Sequence, residues 1–370
     1  MVMRIAVDAF HALYPAGGVA RYARSLISAM AAEADCSEIL LFYNRFRGNG
    51  ALWRPTGTTL TVRNVPVPRR LLQGLWQTID WPPIEMLCGR VDIFHGLHFV
   101  LPASRKARRV LTVHDLTYLR HPDYYRNVRL NDRGYRQELP RALTQADAVI
   151  AVSRKTRDDL VDWLNYPAER IRVIHHGVAE RFFAPATSQN QELIRRHYQI
   201  THPYAIFLVG TPEPRKNIAR TVAAVRRAAP SMDLVMVGER HCLQPLTGAP
   251  TEHLVFTGTV PEDHLPALLS GATISVYPSL EEGFGLPLLE SMACGAPVLT
   301  STRGALPEIA GGAALLVNPE DIEDMVHGLS TLLNDEALRQ QLAQAGRRRA
   351  ADFTWERAAA QTAALYRELI

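Results

Sequence analysis

Two glutamates, Glu282 and Glu290, bracket the seven residues Gly283-Phe284-Gly285-Leu286-Pro287-Leu288-Leu289. The run before them, Ala272 to Tyr277, is apolar and β-branched and is closed by Pro278, so it reads as a buried strand emptying into the loop Pro278 to Gly285. Pro287 fits the first turn of a helix, Leu288 to Ala293 are good helix formers, and Cys294-Gly295-Ala296-Pro297 stops that helix before a short strand, Val298 to Thr300. A helix entered this way presents unpaired backbone N–H groups and a partial positive charge, which suit a phosphate or the hydroxyls of a sugar. Gly283 and Gly285 let the backbone come close to such a ligand. A carboxylate in the loop, Glu282, is placed to accept hydrogen bonds from sugar hydroxyls, and Glu290, one turn into the helix, to take both hydroxyls of a ribose.

Other residues of chemical interest also follow strands. Phe207 to Gly210 is an apolar strand leading into Thr211-Pro-Glu-Pro-Arg215-Lys216-Asn217, which sets two cations just past a strand end. Arginine binds phosphate oxygens bidentately and lysine adds a compact charge, so the pair suits a diphosphate. Val110 to Val113 ends in His114-Asp115, a titratable pair at a strand terminus. Gly17 and Gly18 open a helix after the first strand, without the G-x-G-x-x-G spacing of a dinucleotide fingerprint. Glu252 to Val260 reads as a strand and turn, with Gly258 and Val260 at its end.

These loops need a scaffold of parallel strands with crossover helices, and the chain supplies two such series. The first comprises Ile5–Asp8, Ile39–Tyr43, Ile93–Phe94, Val110–Val113, Ala148–Val152 and Ile171–Ile174; the second comprises Ala205–Val209, Leu234–Val237, Leu254–Thr257, Thr273–Tyr277, Val298–Thr300 and Ala314–Val317. Gly177 to Asn190 carries few helix or strand signals and reads as the linker. The expected domains are residues 1–182 and 190–352, with 353–370 an amphipathic helix behind Thr354 as N-cap. At 370 residues, 47% hydrophobic and 21% charged, the composition is that of a globular protein with two cores. Cys36, Cys88, Cys242 and Cys294 are scattered, with no C-x-x-C pair, no His/Cys cluster and no D-x-D motif, so neither a disulfide framework nor a metal site is expected. No apolar run approaches a membrane span, and a cytoplasmic location is expected.

Charge is unevenly placed. Residues 1–180 carry 25 Lys and Arg against 17 Asp and Glu, while the rest carry 16 against 20. A basic first half suits an anionic membrane surface or a diphosphate-linked acceptor as well as it suits a solvated arginine-rich face. Two stretches are candidates for such a contact: Arg69 to Trp76, and Arg120 to Arg136, where arginines interleave with Tyr124, Tyr125 and Tyr135.

Glu282, Gly283, Phe284, Gly285, Leu286, Pro287 and Glu290 resemble the E-x7-E signature of retaining glycosyltransferases of family 4, and further matches run from Gly17 to Trp355. The resemblance implies the GT-B fold: two Rossmann-like α/β domains facing across a cleft, with the C-terminal helix crossing back to the first. It implies a catalytic set of His114, Asp115, Glu282, Arg215 and Lys216. It implies donor contacts from Gly17, Gly18, Thr211, Gly258, Val260, Gly283, Phe284, Gly285, Leu286 and Glu290. Two departures stand out: Thr211 occupies a position where many members carry arginine, and Ala20 one where a second glycine pair is common.

The implied reaction moves a sugar from a nucleoside diphosphate to an acceptor hydroxyl, without a metal or other cofactor. VGTPEPRKN and HDLTY look most like mannosyltransferases of bacterial surface-polysaccharide assembly, which points to GDP-mannose as donor. The acceptor is then a glycan or polyprenyl-diphosphate-linked saccharide at the inner face of the plasma membrane, with no nucleic acid involved. A UDP-sugar or deoxysugar donor, an epimerase or phosphorylase on the same fold, and a nucleotide-sugar-binding module without turnover are the alternatives.

Overall fold

A computed structural model describes residues 2–14, 17–33, 38–47, 50–56, 60–125, 132–184, 186–238 and 252–370. The chain divides into two compact units. The first holds Met1–Arg120, Val128–Gly177 and Trp355–Ile370; the second holds His121–Asn127 and Val178–Thr354.

In the first unit seven strands form a wholly parallel sheet: β1 (Arg4–Asp8), β2 (Glu38–Tyr43), β3 (Thr61–Asn64), β4 (Ile93–Gly96), β5 (Arg108–Val113), β6 (Ala148–Ala151) and β7 (Ile171–Val173). Their order is β3-β2-β1-β4-β5-β6-β7, so the chain changes direction across the sheet between β1 and β4. Ile5, Val7, Ile93, Leu111, Val149 and Ile150 are buried on the central strands, as a sheet covered on both faces requires. Sequence reading overlooked β3. Its residues, Thr-Val-Arg-Asn, are mostly exposed at the sheet edge and carry no apolar run.

In the second unit β8 (Tyr204–Gly210), β9 (Asp233–Gly238), β10 (Leu254–Gly258), β11 (Ile274–Tyr277), β12 (Val298–Ser301) and β13 (Leu315–Val317) are also all parallel. Their order is β10-β9-β8-β11-β12-β13, with the change of direction between β8 and β11. In such sheets the loops leaving the two strands at that point diverge, and ligands bind beyond the strand ends there.

The segment read as a linker is more ordered than its composition suggests. It contains a helical turn, Glu180–Phe182, and the hydroxyl of Thr187 accepts from the Asn190 N–H at 3.1 Å to cap the helix Ser188–His197. The final helix, Trp355–Leu369, packs in the first unit against the helix Gly18–Ala32. It is anchored by Tyr366, whose hydroxyl lies 2.6 Å from Nδ1 of His95. Nε2 of His95 is 2.8 Å from Thr112 Oγ1, which is 3.0 Å from the hydroxyl of Tyr22. Four fully buried polar side chains from four elements thus satisfy one another.

No helix among the described residues is long and apolar enough to cross a membrane. Cys88 and Cys294 are free thiols, and Cys36 and Cys242 lie outside the described residues.

Candidate functional site

Glu282 is the hub of a buried cluster in the second unit. Its Oε1 accepts from Lys216 Nζ at 2.7 Å, the Tyr277 hydroxyl at 2.6 Å and Ser279 Oγ at 3.0 Å, while Oε2 lies 2.7 Å from Arg215 Nη1. Arg215 also pairs with Glu213. Nζ of Lys216 is 2.8 Å from the same Tyr277 hydroxyl and sits over that ring. These groups meet because β8 and β11 are neighbours at the switch point. The loop after β8 carries Arg215 and Lys216, the loop after β11 carries Ser279 and Glu282, and Leu280 N–H donates to the Arg215 carbonyl at 2.7 Å.

The electrostatics follow from this packing. Burial by itself would raise the Glu282 carboxyl, but Arg215, Lys216 and its hydrogen bonds overcome that and hold it down at about 2. Burial lowers the Lys216 ammonium, against the pull of Glu282, and raises the Tyr277 phenol well above its usual value. Glu282 is therefore an anion at neutral pH. Sequence reading assigned it to sugar hydroxyls, whereas the folded chain already gives it four protein donors.

Four further residues hold this loop pair, and sequence reading gave them no role. Asn217, in the left-handed region at φ 59°, donates from Nδ2 to the carbonyls of Pro278 and Pro319 at 3.2 and 2.6 Å. Tyr277 and Ser279 flank Pro278, so their position between strand and loop was the available signal. Gly304, at φ 62°, lies so close that a Cβ there would sit 2.7 Å from both the N and the O of Glu282.

The helix predicted after the loop is Leu286–Ala293, with Pro287 in its first turn and Gly285 as N-cap at φ 100°. A Cβ on Gly285 would meet Leu306 Cδ2 at 2.6 Å. Leu286 and Phe284 are buried, the latter edge-on to Phe353. Glu290 is 2% exposed on the same helix. Its charge, after burial, helps push the Cys294 thiol up to about 12. Thr211 is exposed just past β8, and Gly258 ends β10 at φ 72° with Val260 buried beyond it.

In the first unit, Gly17 at φ 112° is the N-cap of the helix Gly18–Ala32, and both glycines are exposed. Tyr22 of that helix meets the ring of His114 edge-on at 4.9 Å. His114 follows β5, and its Nε2 lies 3.0 Å from the Leu97 carbonyl. Since a carbonyl only accepts, Nε2 carries the proton and the neutral ring keeps its lone pair on Nδ1. Asp115 does not touch that ring through a hydrogen bond. It accepts from the Thr117 N–H at 2.9 Å and so shapes the following turn.

His114 is one of a set. His11 and His98 lie 4.5 Å apart between ring centroids, His98 and His114 6.2 Å, and His114 and His176 5.6 Å. Burial lowers all four, His11 to about 4, so the row is neutral at pH 7. His11 and His98 come from the loops after β1 and β4, the strands at the switch point of the first sheet. Their individual positions in the sequence gave no hint of a row.

The second unit also gathers His202, Asp233 and His253, residues from three separate segments, at the starting edge of its sheet. Sequence reading found no such cluster because no two of them are near neighbours in the chain. Of the basic stretches, Arg69–Thr78 is a helix that buries Leu72 and Trp76 and leaves Leu71 exposed. Arg69 turns inward over the Phe10 ring at 4.0 Å. In the Arg120 to Arg136 stretch, residues 126–131 lie outside the described residues.

Residues 16–182 match Glycosyltransferase Family 4, and residues 190–349 match Glycosyl transferases group 1. The chain belongs to this family of GT-B glycosyltransferases and is an enzyme of that class. It is 28% identical over 385 aligned residues to O-antigen chain mannosyltransferase B of Escherichia coli, covering 96% of this chain and 97% of that protein. The fold is that of sucrose-phosphate synthase from Thermosynechococcus elongatus, with a TM-score of 0.79 at 23% identity over 99% of both chains. Anabaena Alr3699/HepE in complex with UDP-glucose has the same fold, with a TM-score of 0.74 at 16% identity over 100% of both chains.

Proposed function

We propose that this glycosyltransferase moves mannose from GDP-mannose to a hydroxyl of a glycan or lipid-linked saccharide in cell-surface polysaccharide synthesis, with retention at the anomeric carbon. The observation that carries the reading is the meeting of Arg215, Lys216 and Glu282 beyond β8 and β11, at the switch point where α/β sheets hold nucleotides. The mannose assignment rests on the end-to-end similarity to a mannosyltransferase.

Arg215 and Lys216 hold the diphosphate and offset the charge that builds on it as the C1–O bond to phosphate breaks, the part a magnesium ion plays in other transferases. The acceptor oxygen attacks C1 from the face the diphosphate leaves, and its proton passes to the departing phosphate oxygen. Glu282 keeps both cations in place and is no nucleophile, since its oxygens are committed to four donors. Glu290 takes the ribose hydroxyls. Gly17 and Gly18 bring backbone to the phosphates, Thr211, Gly283 to Leu286, Gly258 and Val260 line the donor, and the neutral His114 meets the donor sugar near C1. The basic first half, with exposed Leu71 on the helix Arg69–Thr78, supports contact with the anionic inner face of the plasma membrane.

A melting-temperature series with GDP, UDP, ADP and dTDP tests the donor, because a ligand that binds only the folded state raises its apparent stability. GDP is expected to give the largest shift, and GDP-mannose with acceptor to release GDP. A larger shift with UDP would transfer the assignment to a UDP-sugar.

A further inference from the structure

Three segments that begin neighbouring strands converge at the edge of the second sheet opposite to its donor loops. His202 stands two residues before β8, Asp233 is the first residue of β9, and His253 immediately precedes β10. Strand β8 has seven residues, so at about 3.3 Å per residue this edge lies roughly 20 Å from the Arg215–Glu282 cluster.

Nδ1 of His202 is 3.2 Å from Asp233 Oδ1, and Nδ1 of His253 is 3.1 Å from the same oxygen. The three ligand-capable atoms all lie within 4.8 Å of one another, and the two rings stand at 74° with centroids 4.8 Å apart. The carboxylate is aimed. Its Oδ2 is held by the backbone N–H groups of Thr201 at 3.1 Å and His202 at 2.9 Å, which leaves Oδ1 toward the imidazoles.

We propose that His202, Asp233 and His253 form a binding site for a divalent transition-metal ion of the zinc type, with water completing the shell. Two imidazole nitrogens and a carboxylate oxygen are a donor set that zinc favours. Bonds of about 2.0–2.1 Å in tetrahedral array put neighbouring ligand atoms roughly 3.3 Å apart, close to the spacing of both histidines from Asp233. The backbone bonds to Oδ2 are the outer shell that orients a ligating carboxylate. The side chain of His202 is 49% exposed, which gives the ion a path from solvent, while that of Asp233 is 4% exposed. Arg226 also acts on Asp233 and opposes a second cation, and Glu252, which acts on Arg226, offsets it. Such an ion clips the starts of β8, β9 and β10 together and takes no part in sugar transfer.

The alternative is a metal-free network in which His253 Nδ1 bonds to Asp233 and His202 Nδ1, 2.9 Å from Thr201 Oγ1, is shared between that hydroxyl and Asp233; cobalt(II) separates the two. Tag-free full-length protein, stripped with chelator, is titrated with cobalt chloride and then zinc chloride. The expected result is one cobalt per chain with the visible absorption of a low-coordinate nitrogen and oxygen site, displaced by zinc, and a rise in melting temperature with either ion. His202→Asn and His253→Asn should each abolish both signals, asparagine being chosen because it tolerates the left-handed backbone at His253, φ 57°. X-ray absorption at the cobalt edge of the unaltered protein should show two imidazoles, a result that does not depend on either variant folding. Absence of a stoichiometric cobalt spectrum, a spectrum that survives in folded variants, or a shell without two imidazoles overturns the proposal. Transfer activity of the metal-free protein should match in all three chains.

Discussion

Lys216 and Glu282 meet at 2.7 Å in the interior of the second unit, with side chains only 10% and 9% exposed. Arg215 reaches the other oxygen of the same carboxylate and pairs with Glu213 as well, so Glu282 holds two cations of which Arg215 alone has a second anion. A buried pair is weak evidence for stability as a whole, but removing one member leaves uncompensated charge.

Glu282→Ala should therefore be more damaging than Lys216→Ala, since it strands the Lys216 ammonium, leaves Arg215 with Glu213 alone, and takes the acceptor from Tyr277 and Ser279. A loss of roughly 3–5 kcal/mol in urea denaturation is expected for Glu282→Ala. Lys216→Ala should depress turnover well beyond what an exposed lysine would, measured as kcat in folded protein. Wild-type kcat in Lys216→Ala would remove this loop from the donor site.

The pH dependence has a definite sign. The Glu282 carboxyl is held at about 2 against an ordinary 4.5, so its contribution is complete above about 4.5 and is lost as pH falls toward 2. Urea midpoints of wild type and Glu282→Gln should converge across that window. A gap that stays constant from pH 5 to about 2.5 would rule out this carboxylate as the titrating group.

His95 gives a second, higher window in the first unit. Burial lowers its pKa from 6.5 to about 3, so the unfolded chain takes up a proton that the folded chain refuses, and stability drains as pH falls from about 6.5 toward 3. Tyr366→Phe removes the hydroxyl facing Nδ1 and should cost about 1–3 kcal/mol, read by chemical denaturation at pH 8, where His95 is neutral in both states.

Gly304→Ala tests how tightly the loop of Glu282 is held. The new Cβ would press on the Glu282 backbone at 2.7 Å from a left-handed φ of 62°, so the loop must shift. Nucleotide affinity by calorimetry should fall further than the melting temperature alone accounts for. Gly312→Ala, also at positive φ but with open space around its Cβ, is the control and should leave affinity unchanged.

Glu290→Ala should weaken nucleotide binding while leaving the turnover of bound donor nearly intact, a rise in KM with little change in kcat. An equal fall in kcat and kcat/KM would instead give Glu290 a role confined to the transition state.

Much of this was written in local sequence. Each of the twelve strands read from β-branched runs is present: the central ones are buried on both faces and so must be apolar along their length, while the edge strands β7, β10 and β13 are only partly buried. The helix after Gly285 was equally legible from Pro287 and the Cys294-Gly295 stop. Edge strand β3 was not, since an exposed strand needs no apolar signature, and Thr187 was overlooked as a cap inside an apparent linker.

Residue types and their order along the chain thus determined the α/β class, the strand ends and which loops carry charge. Only the tertiary structure decided which of those charges meet. Strand order put the loops of β8 and β11 side by side, so that Glu282 spends its oxygens on Arg215, Lys216, Tyr277 and Ser279. The same holds for the row from His11 to His176 and for His202, Asp233 and His253. Parallel strands joined by long crossovers place residues tens of positions apart in contact, and no local pattern encodes that pairing.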